Sequence, residues 1–378
     1  MNRFHPDFLG ETAARIKLQS YPSVRQFVVQ HLYPDTLRLL LLLHQYVPVH
    51  CVIGIGYSGK VEVMNALTGA GIRVLTPDYD ELEHCVRSEL GLTLKACREQ
   101  DFSLLIHEVG GYAIKCLHAD FPEDIDIVRG AMEVTKQGVW VAEQLPDLKI
   151  PQVNCAQTRL KQVEGKMVGE AVVTALDVIL REIGFSTVGR EALVLGYGWV
   201  GKGTAVSLRN RGLQVSVLDT DIIQCVDATV DGFSVPRTAD YTHAQHPRWA
   251  IVVGTSGQQS INAKLIATLP DRCFLVSGSS KDHEIDLRYL QDISVSTSPV
   301  HPYVEAIITQ DGRTLFLVNS GFPVNFTGAS VPDEIVEFLF AELIMLVPWL
   351  LDNTLTPGIY PLPEEQEKIA AEVWLDLR

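Results

Sequence analysis

Residues 194–221 read VLGYGWVGKGTAVSLRNRGLQVSVLDTD, and this stretch decides the fold of the second half of the chain. A short apolar run leads into a glycine-spaced turn, a helical pattern follows, and a second apolar run ends at an aspartate. In such a unit the first glycine allows a tight turn, the second lets a pyrophosphate approach the backbone, and the third lets helix and strand pack closely. The helix N-terminus also faces the phosphate charge. The stretch therefore predicts a Rossmann dinucleotide-binding fold.

The second strand of this unit ends at Asp219, 18 residues after Gly201. A carboxylate at that place accepts hydrogen bonds from ribose hydroxyls and repels a 2′-phosphate, so NAD is favoured over NADP. The predicted cofactor residues of this unit are Gly196, Tyr197, Gly198, Trp199, Val200, Gly201 and Asp219. The alternative is a glycine-rich turn that serves only close packing.

A second glycine-spaced run, CVIGIGYSGKVEVM, occupies residues 51–64. It also follows an apolar run and precedes a helical pattern, and Asp78 lies just beyond the next apolar run. We interpret it as a tight turn without a ligand. A second phosphate or nucleotide site is the alternative, and the sequence does not decide between them.

Composition limits the kinds of partner. The formal charge is −15, which repels nucleic acids and anionic membranes, so we expect a small-molecule ligand. The seven cysteines include no CxxC pair, which favours reduced thiols in the cytoplasm and gives no metal site. The first residues lack the apolar segment of a signal peptide. The longest apolar run, at about 37–43, is far shorter than the roughly 20 residues of a membrane span.

The chain is 378 residues long, enough for two domains. Apolar strands alternate with helical patterns over 51–111 and again after a long helical pattern at 164–183, which predicts parallel sheets with helical crossovers. Strands are predicted at 191–196, 214–219, 250–254 and 273–277. The predicted fold is α/β with two doubly wound parallel-sheet domains. The first comprises 1–165 and 333–378, and the second, 166–332, is a Rossmann NAD-binding domain inserted before C-terminal helices that return to the first.

From about 105 to 345 the chain resembles the S-adenosylhomocysteine hydrolase (adenosylhomocysteinase) family. The resemblance is strongest at GYGWVGKG and continues in order through HEVGG, RGAMEVTKQGV, VNCAQTRLK, GTSGQQSI, SGSSKDHEID and FLVNSGFPVNF. It implies a bound NAD that oxidises a substrate hydroxyl so that a neighbouring bond can be cleaved. It also implies cofactor contacts at Thr135, Thr255, Gly257 and Asn325, and substrate contacts at Asn154 and Arg159.

The resemblance fails at six positions that carry the family's chemistry. The family's catalytic lysine falls on Arg159, whose pKa above about 12 prevents it from acting as a base. Family carboxylates fall on Val163, Val109 and Val134. One family histidine aligns near Tyr57 and Ser58, and another falls on Ser280. Because each placed acid or base contributes about 10² to 10⁴ in rate, we do not expect the classical hydrolysis.

We therefore expect NAD-dependent oxidation or reduction of a hydroxyl on a nucleoside-like or other small polar substrate. The catalytic candidates are Lys161, His107 and His301, with Lys115 and Lys136 as further candidates. One alternative is a non-catalytic NAD- or nucleoside-binding protein that regulates a partner, and another is S-adenosylhomocysteine hydrolysis with replacement residues. A 2-hydroxyacid dehydrogenase is disfavoured, since GTSGQQSI lacks the arginine of that class. The chain lacks the family's lysine- and tyrosine-rich tail, so we expect a homodimer rather than the family's tetramer.

Overall fold

The computed structural model describes residues 7–236, 248–279 and 283–378. It divides the chain into two compact units, one comprising the residues up to Gln162 together with Asp333–Arg378, and the other Val163–Pro332. The boundary near 162 and the one predicted near 165 both lie within a single long helix, Arg159–Glu182.

The first unit is built on a seven-stranded sheet. In chain order its strands are β1 (Val24–Gln30), β2 (Val49–Gly54), β3 (Arg73–Leu75), β4 (Ser103–Glu108), β5 (Val128–Glu133), β6 (Pro151–Asn154) and β14 (Gly358–Pro361). Their spatial order is β14-β6-β5-β4-β1-β2-β3, and every neighbouring pair is parallel. The sequence predicted β2, β3 and β4 but not β1, β5, β6 or β14.

Helices cover this sheet. They are α1 (Phe8–Arg15), α2 (Pro34–Tyr46), α3 (Val61–Gly69), α4 (Leu82–Glu99), α5 (Tyr112–Asp120), α6 (Lys136–Glu143), α12 (Asp333–Leu351) and α13 (Glu364–Asp376). A parallel sheet with helices on its faces buries both sides of its strands, which explains the near-continuous apolar sequences of β2 and β4. Helix α12 is buried along most of its length and packs on α1, β5 and β6, so the C-terminal segment completes the first core.

The second unit contains another seven-stranded sheet. Its strands are β7 (Glu191–Leu195), β8 (Gln214–Leu218), β9 (Trp249–Gly254), β10 (Cys273–Ser277), β11 (Ser294–His301), β12 (Val304–Thr309) and β13 (Thr314–Val318). The spatial order is β11-β12-β13-β10-β9-β7-β8. Strands β8, β7, β9, β10 and β13 are parallel, whereas β12 and β11 are antiparallel. The helices are α7 (Arg159–Glu182), which the two units share, α8 (Trp199–Asn210), α9 (Ile222–Val230), α10 (Ala263–Ile266) and α11 (Leu287–Ile293).

The predicted α/β fold with two doubly wound sheets and a Rossmann unit is confirmed, and the four strands predicted in the second unit are present. The second sheet is mixed rather than purely parallel because of the β11–β12 hairpin, which the sequence did not predict. In the described parts of the chain, every helix is too short or too polar to span a lipid bilayer.

Candidate functional site

The glycines of the turn between β7 and α8 are mostly enclosed by protein. Gly196 has φ +94°, a conformation that favours glycine, and a β-carbon on it would lie 3.0 Å from the Ser256 nitrogen. A β-carbon on Gly201 would overlap the Gly196 carbonyl, and one on Gly203 would overlap the Lys166 carbonyl of α7. Packing alone therefore explains these three glycines.

Gly198 differs from them. It has ordinary extended dihedrals, φ −67° and ψ −166°, and within the described chain no atom lies within 4 Å of the β-carbon that would be added there. Neither backbone conformation nor protein packing requires a glycine at this position. The open space lies at the N-terminus of α8, where a pyrophosphate approaches the backbone in this fold. Packing therefore does not account for Gly198, and the open space beside it would accommodate a pyrophosphate.

Asp219 follows β8 and is held in place by two backbone donors. Its Oδ2 accepts a hydrogen bond from the Tyr197 N–H at 2.6 Å, and its Oδ1 accepts one from the Asp221 N–H at 2.8 Å. Since each carboxylate oxygen has two lone pairs, capacity remains for ribose hydroxyls. The position agrees with the predicted role.

The prediction that Tyr197 contacts the cofactor holds at most for its backbone. Its side chain is completely buried, its ring packs edge-on against Phe233, and its hydroxyl donates to Asp231 Oδ2 at 2.8 Å. Burial and the hydrogen bond to Asp231 raise the pKa of this hydroxyl well above its usual value. Tyr197 can therefore offer a ligand only its backbone, and its side chain belongs to the core.

Trp199 and Val200 form the first turn of α8, beside α7. A β-carbon on Gly165 of α7 would lie 2.9 Å from the Trp199 Cβ, and one on Gly169 would overlap the Val200 carbonyl. Both residues lie at the predicted turn, and their close contacts with α7 fix the start of α8.

Thr255 follows β9 and supports the turn after β7. Its N–H donates to the Leu195 carbonyl at 2.8 Å, and its Oγ1 lies 2.9 Å from the Gly196 carbonyl. These bonds hold the turn in the shape that leaves Gly198 open. Thr255 is thus a positioning residue for the predicted cofactor site.

Gly257 is held by Glu284, which the sequence did not reveal as important. Glu284 is completely buried and accepts hydrogen bonds from the Gly257 N–H at 2.5 Å and from three serine hydroxyls, those of Ser256, Ser260 and Ser279. Burial raises the pKa of this carboxyl. The carboxylate joins the loops that follow β9 and β10. Its donors are spread over more than twenty residues of sequence, so only the fold shows the cluster.

Asn325 lies at the carboxyl end of β10. Pro323, two residues before it, pairs with Ser277, the last residue of β10. The Asn325 side chain is buried and its Nδ2 donates to Ser330 Oγ at 3.1 Å, but its Oδ1 has no partner among the described residues. A buried acceptor without a partner is costly and suits an N–H donor from a ligand, such as a nicotinamide carboxamide.

These groups line one edge of the second sheet. Asp219, the Gly198 turn, Thr255 and the loop after β10 follow the carboxyl ends of four neighbouring strands, β8, β7, β9 and β10. Three strand spacings amount to roughly 14 Å, a length suited to an extended dinucleotide. The residues present therefore fit NAD, with a ribose at Asp219, the pyrophosphate at Gly198 and the nicotinamide towards Asn325.

Thr135 lies in the first unit and is fully engaged there. Its hydroxyl caps α6 by accepting from the Gly138 N–H at 3.1 Å and donates to Glu133 Oε1 at 2.7 Å. Glu133 is completely buried and also accepts from the backbone N–H groups of Gly110 and Gly111. Burial raises the pKa of Glu133 to about 7, against the opposing effect of these donors. The pair ties the ends of β4 and β5 together.

A histidine lies beside the segment where a family histidine was thought to be missing. His31 follows β1, and its Nδ1 lies 2.6 Å from Ser58 Oγ. Since the Ser58 hydroxyl donates to the Ile55 carbonyl at 3.0 Å, Nδ1 of His31 carries the hydrogen and Nε2 is its acceptor nitrogen. Burial, with a smaller effect of the Lys161 charge, lowers the pKa of His31 to about 4. The ring is therefore neutral at pH 7. This histidine comes from β1, not from the glycine run itself.

Two lysines share this region at the carboxyl edge of the first sheet. Lys136 begins α6 after β5, and Lys161 lies in the first turn of α7 after β6. Burial lowers the pKa of Lys136, and the charge of Lys161 lowers it further. Because Lys161 also acts on His31, the structure brings these three residues into one electrostatic neighbourhood.

The two predicted substrate residues differ. Asn154 ends β6 and is buried; its Nδ2 donates to the Tyr360 carbonyl at 3.2 Å, while its Oδ1 has no partner among the described residues. Arg159 is exposed, and its charge acts on Glu364 and Lys368 of α13. Asn154 thus keeps a buried acceptor atom without a described partner, whereas Arg159 lies within reach of the charges of α13.

Of the remaining catalytic candidates, His107 and Lys115 lie in the first unit but do not join the lysine pair, and His301 lies in the second unit. His107 is completely buried within β4, which prevents contact with a substrate. His301 bonds Glu182 at 2.7 Å and lies on β11, five strand spacings or roughly 24 Å from β7. Lys115 is exposed and paired with Glu83. Ser280, at the other missing family histidine, lies outside the described residues.

The glycine run at 54–60 is explained by packing. A β-carbon on Gly54 would lie 2.5 Å from Leu32 Cδ1, and one on Gly56 would lie 2.5 Å from the Pro77 carbonyl. Protein atoms fill the space that a phosphate would need beside these glycines. The geometry favours the interpretation of this run as a tight turn without a ligand.

Comparison with known proteins agrees with this geometry. The sequence model of the family described as "S-adenosyl-L-homocysteine hydrolase, NAD binding domain" matches residues 170–331. The chain is 28% identical over 318 residues to the adenosylhomocysteinase of Thermotoga maritima, which covers 79% of this chain and 77% of that protein. It is 27% identical over 275 residues to the S-inosyl-L-homocysteine hydrolase of Methanothermobacter thermautotrophicus, with 71% and 64% covered.

A solved structure of the dipicolinate synthase A chain from Bacillus subtilis is also similar, with a TM-score of 0.46 and 11% identity, covering 87% of this chain and 98% of that one. The matched family domain includes the Gly198 turn, Asp219 and Asn325, and its cofactor is NAD. Residues 170–331 thus match the NAD-binding domain of the S-adenosylhomocysteine hydrolase family, and the chain, whose cofactor is NAD, is similar to adenosylhomocysteinases.

Proposed function

We propose that this protein uses NAD to oxidise or reduce a hydroxyl group on a small polar substrate of nucleoside-like chemistry, without the classical hydrolysis of S-adenosylhomocysteine. The observation that carries the proposal is the group formed by His31, Lys136 and Lys161 at one edge of the first unit. Bound NAD supplies hydride transfer. The chain must supply a group that takes the hydroxyl proton.

Lys136 is the candidate for that proton. An ordinary lysine is protonated at pH 7 and is a poor proton acceptor, but burial and the charge of Lys161 lower the pKa of Lys136 towards the useful range. Lys161 keeps a positive charge nearby, which stabilises an oxyanion on the substrate. The neutral His31 is oriented through Ser58 in the same region.

The substrate contacts differ from those of the family. Val109 and Val134 stand where the resemblance places carboxylates, and both side chains are buried. Apolar side chains do not bind sugar hydroxyls as carboxylates do. Asn154 Oδ1 remains as a buried acceptor for a substrate N–H or O–H group. The replacement of the family's carboxylates by valines, with the Asn154 acceptor kept, supports a change of substrate rather than a loss of ligand binding.

The test starts with identification of the nucleotide released when purified protein is denatured. The NAD-loaded protein is then mixed with adenosine, inosine and their homocysteine thioethers, while the absorbance of the reduced cofactor and the free thiol are both followed. Reduced cofactor without thiol supports the proposal. The absence of cofactor reduction with a panel of hydroxylated substrates would contradict it and favour a non-catalytic, regulatory protein.

Variants locate the proton acceptor. Lys136→Met should lower the rate by about 10² or more, since a placed acid or base contributes 10² to 10⁴. Lys161→Met should lower it too, and it should shift the acidic limb of the pH–rate profile, on which the proton acceptor loses its proton, to higher pH, because the pKa of Lys136 rises when the nearby charge is removed. Lys115→Met is the matched control, because Lys115 is an exposed lysine paired with Glu83, and its rate should not change.

Hydrolysis of a nucleoside thioether is the second candidate. It is favoured by the names of the relatives, adenosylhomocysteinase and S-inosyl-L-homocysteine hydrolase, and by His31, which supplies an acid or base that the sequence comparison had counted as lost. Release of thiol in the same assay would establish it.

The assembly and location are also proposals. We propose a homodimer rather than the family's tetramer, and light scattering of the purified protein tests this by its mass. The seven cysteines are all unpaired, which supports a reducing cytoplasm; labelling of intact cells with a reagent that does not cross membranes should leave them unmodified.

A further inference from the structure

Arginine directly precedes three neighbouring parallel strands of the second unit. The segments REALVL, RWAIVVG and RCFLVS place Arg190 before β7, Arg248 before β9 and Arg272 before β10. These strands lie side by side in the order β10-β9-β7. Because neighbouring strands are about 4.8 Å apart, the three backbones span only about 10 Å. The arginines therefore form a row along the amino edge of the sheet, opposite to the edge that holds NAD.

The arginine row, Arg190, Arg248 and Arg272, lines a cleft of about 360 Å³, together with Phe185, Trp249 and Asp271. This volume falls within the range of small-ligand sites. The Arg190 guanidinium stacks on the Phe185 ring at 4.1 Å and donates to the Ser186 carbonyl at 2.7 Å. One member of the row thus has a fixed orientation at the rim of the cleft.

Within residues 7–236, 248–279 and 283–378, no carboxylate forms an ion pair with the arginine row. Arg313, which precedes the next strand, β13, provides a contrast: it pairs with Asp311 at 2.8 Å and donates to the Leu269 carbonyl at 2.6 Å. Asp271, the one acid among the described residues of the cleft lining, accepts a hydrogen bond from the Thr314 N–H at 2.7 Å. A chain of charge −15 thus gathers three like charges in one cleft.

Arg272 also has an unusual backbone. Its φ is +63°, in the left-handed region that favours glycine and asparagine, and its N–H donates to the Thr314 carbonyl at 2.7 Å. Lys17 adopts the same backbone region, so a long side chain is compatible with it, and the hydrogen bond to Thr314 fixes the Arg272 backbone beside β13.

We propose that the arginine row binds a phosphate group, as a second ligand site on the NAD-binding unit. Guanidinium groups present paired N–H donors that match the oxygens of a phosphate, and three of them compensate its two negative charges. The ligand is inorganic phosphate or a small phosphomonoester. This site is separate from the proposed function, because it lies at the other end of β7, β9 and β10.

Isothermal titration of the full chain tests this site, with NAD present at saturation so that phosphate cannot enter the cofactor site. Inorganic phosphate and glucose 6-phosphate are titrated separately at 0.15 M salt. A single saturable site for either is expected, and comparison of the two identifies whether the free ion or the ester is preferred. Failure of both to saturate would overturn the proposal.

The variant Arg272→Asn removes the side-chain charge but keeps a residue that tolerates positive φ, so folding should be preserved. It should weaken phosphate binding at least about tenfold, the effect of losing one charged hydrogen bond. Arg288→Asn is the matched control, an exposed arginine on α11 outside the cleft lining. Equal weakening in both variants would show a general charge effect and overturn the site, as would unchanged affinity in Arg272→Asn.

Discussion

At the scale of single residues, Gly198 separates packing from ligand binding. Its dihedrals suit alanine, and a β-carbon there would touch no protein atom of the described chain. Gly198→Ala should leave the unfolding free energy of the NAD-free protein unchanged or raise it by up to about 1 kcal/mol. It should weaken NAD binding at least about tenfold, or about 1.4 kcal/mol, by blocking the pyrophosphate. Titration with NAD and urea unfolding measure the two effects.

Gly201→Ala is the comparison for this prediction. Its β-carbon would overlap the Gly196 carbonyl and lie 2.9 Å from Thr255 Oγ1, so the NAD-free protein should lose roughly 1–3 kcal/mol of stability. If Gly198→Ala destabilised the protein as much while binding NAD normally, the open space would have no role in binding.

The buried His107 should make the folded protein less stable at acidic pH. Burial lowers its pKa from 6.5 to about 4, so the unfolded chain binds a proton more readily than the folded protein does. The stability from neutral His107 is fully present above pH 6.5 and is lost as the pH falls from 6.5 to 4. The difference amounts to roughly 3 kcal/mol. His107→Leu should remove this share of the acid sensitivity, as measured by urea unfolding at pH 7 and pH 5.

The same variant has an effect at pH 7. Neither ring nitrogen of His107 has a partner among the described residues, so leucine should add about 1–3 kcal/mol of stability there. His84→Leu, at an exposed site on α4, is the control and should leave the pH dependence unaltered. An acid sensitivity that stayed the same in His107→Leu would contradict the prediction.

The residues that sequence could and could not predict differ in a physical way. The turn glycines and Asp219 have fixed spacing, because one strand, one turn and one helix set it. His31 and Glu284 have no such spacing: His31 meets Ser58 across two strands, and the donors to Glu284 come from two loops. The one signal for His31 in the sequence is its place directly after the apolar run RQFVVQ, where a parallel strand could end.

At the scale of elements, α7 and α8 cross at glycines. Gly165 and Gly169 are four residues apart on α7, and a β-carbon on Gly169 would overlap the Val200 carbonyl and the Thr204 nitrogen of α8. Backbone atoms cannot move aside as side chains can. Gly169→Ala should therefore lower the unfolding free energy by at least about 2 kcal/mol. It should also weaken NAD binding, since this contact fixes the start of α8.

The control for this variant is Gly69→Ala, in the last turn of α3, where an added β-carbon meets no atom within 4 Å. Alanine there should be neutral or stabilising by up to about 1 kcal/mol through helix propensity. Urea unfolding of both variants checks the pair. A Gly169→Ala protein as stable as Gly69→Ala would show that α7 and α8 do not pack as described.

Elements with a buried face could be predicted from sequence, and those without one could not. The strands β7 to β10 repeat apolar runs of ordinary length and were predicted. The hairpin strand β11, SVSTSPVH, is exposed along most of its length, so no alternation of apolar and polar residues reveals it. Strand β14, GIYP, is a four-residue edge strand between prolines, and β1 was obscured by the polar residues at both of its ends.

At the scale of the whole molecule, the chain presents two glycine-spaced turns after parallel strands, one in each unit. Both turns match the same ligand-binding motif in sequence. The motif specifies the spacing of the glycines and not the atoms that surround them. The surroundings differ: Leu32 and the Pro77 carbonyl occupy the space beside Gly54 and Gly56, whereas Gly198 faces open space.

Hydrogen–deuterium exchange of the full chain tests this difference in one experiment. NAD at 100 times its dissociation constant stabilises the unit that binds it by about 2.7 kcal/mol. Exchange should slow at 196–203 and at 255–257, where backbone N–H groups surround the cofactor site, and should stay unchanged at 54–60. Protection of 54–60 with no change at 196–203 would assign NAD to the first turn and contradict the packing argument. Asp219→Ala, which removes the ribose contact, should abolish the protection at 196–203 at the same NAD concentration.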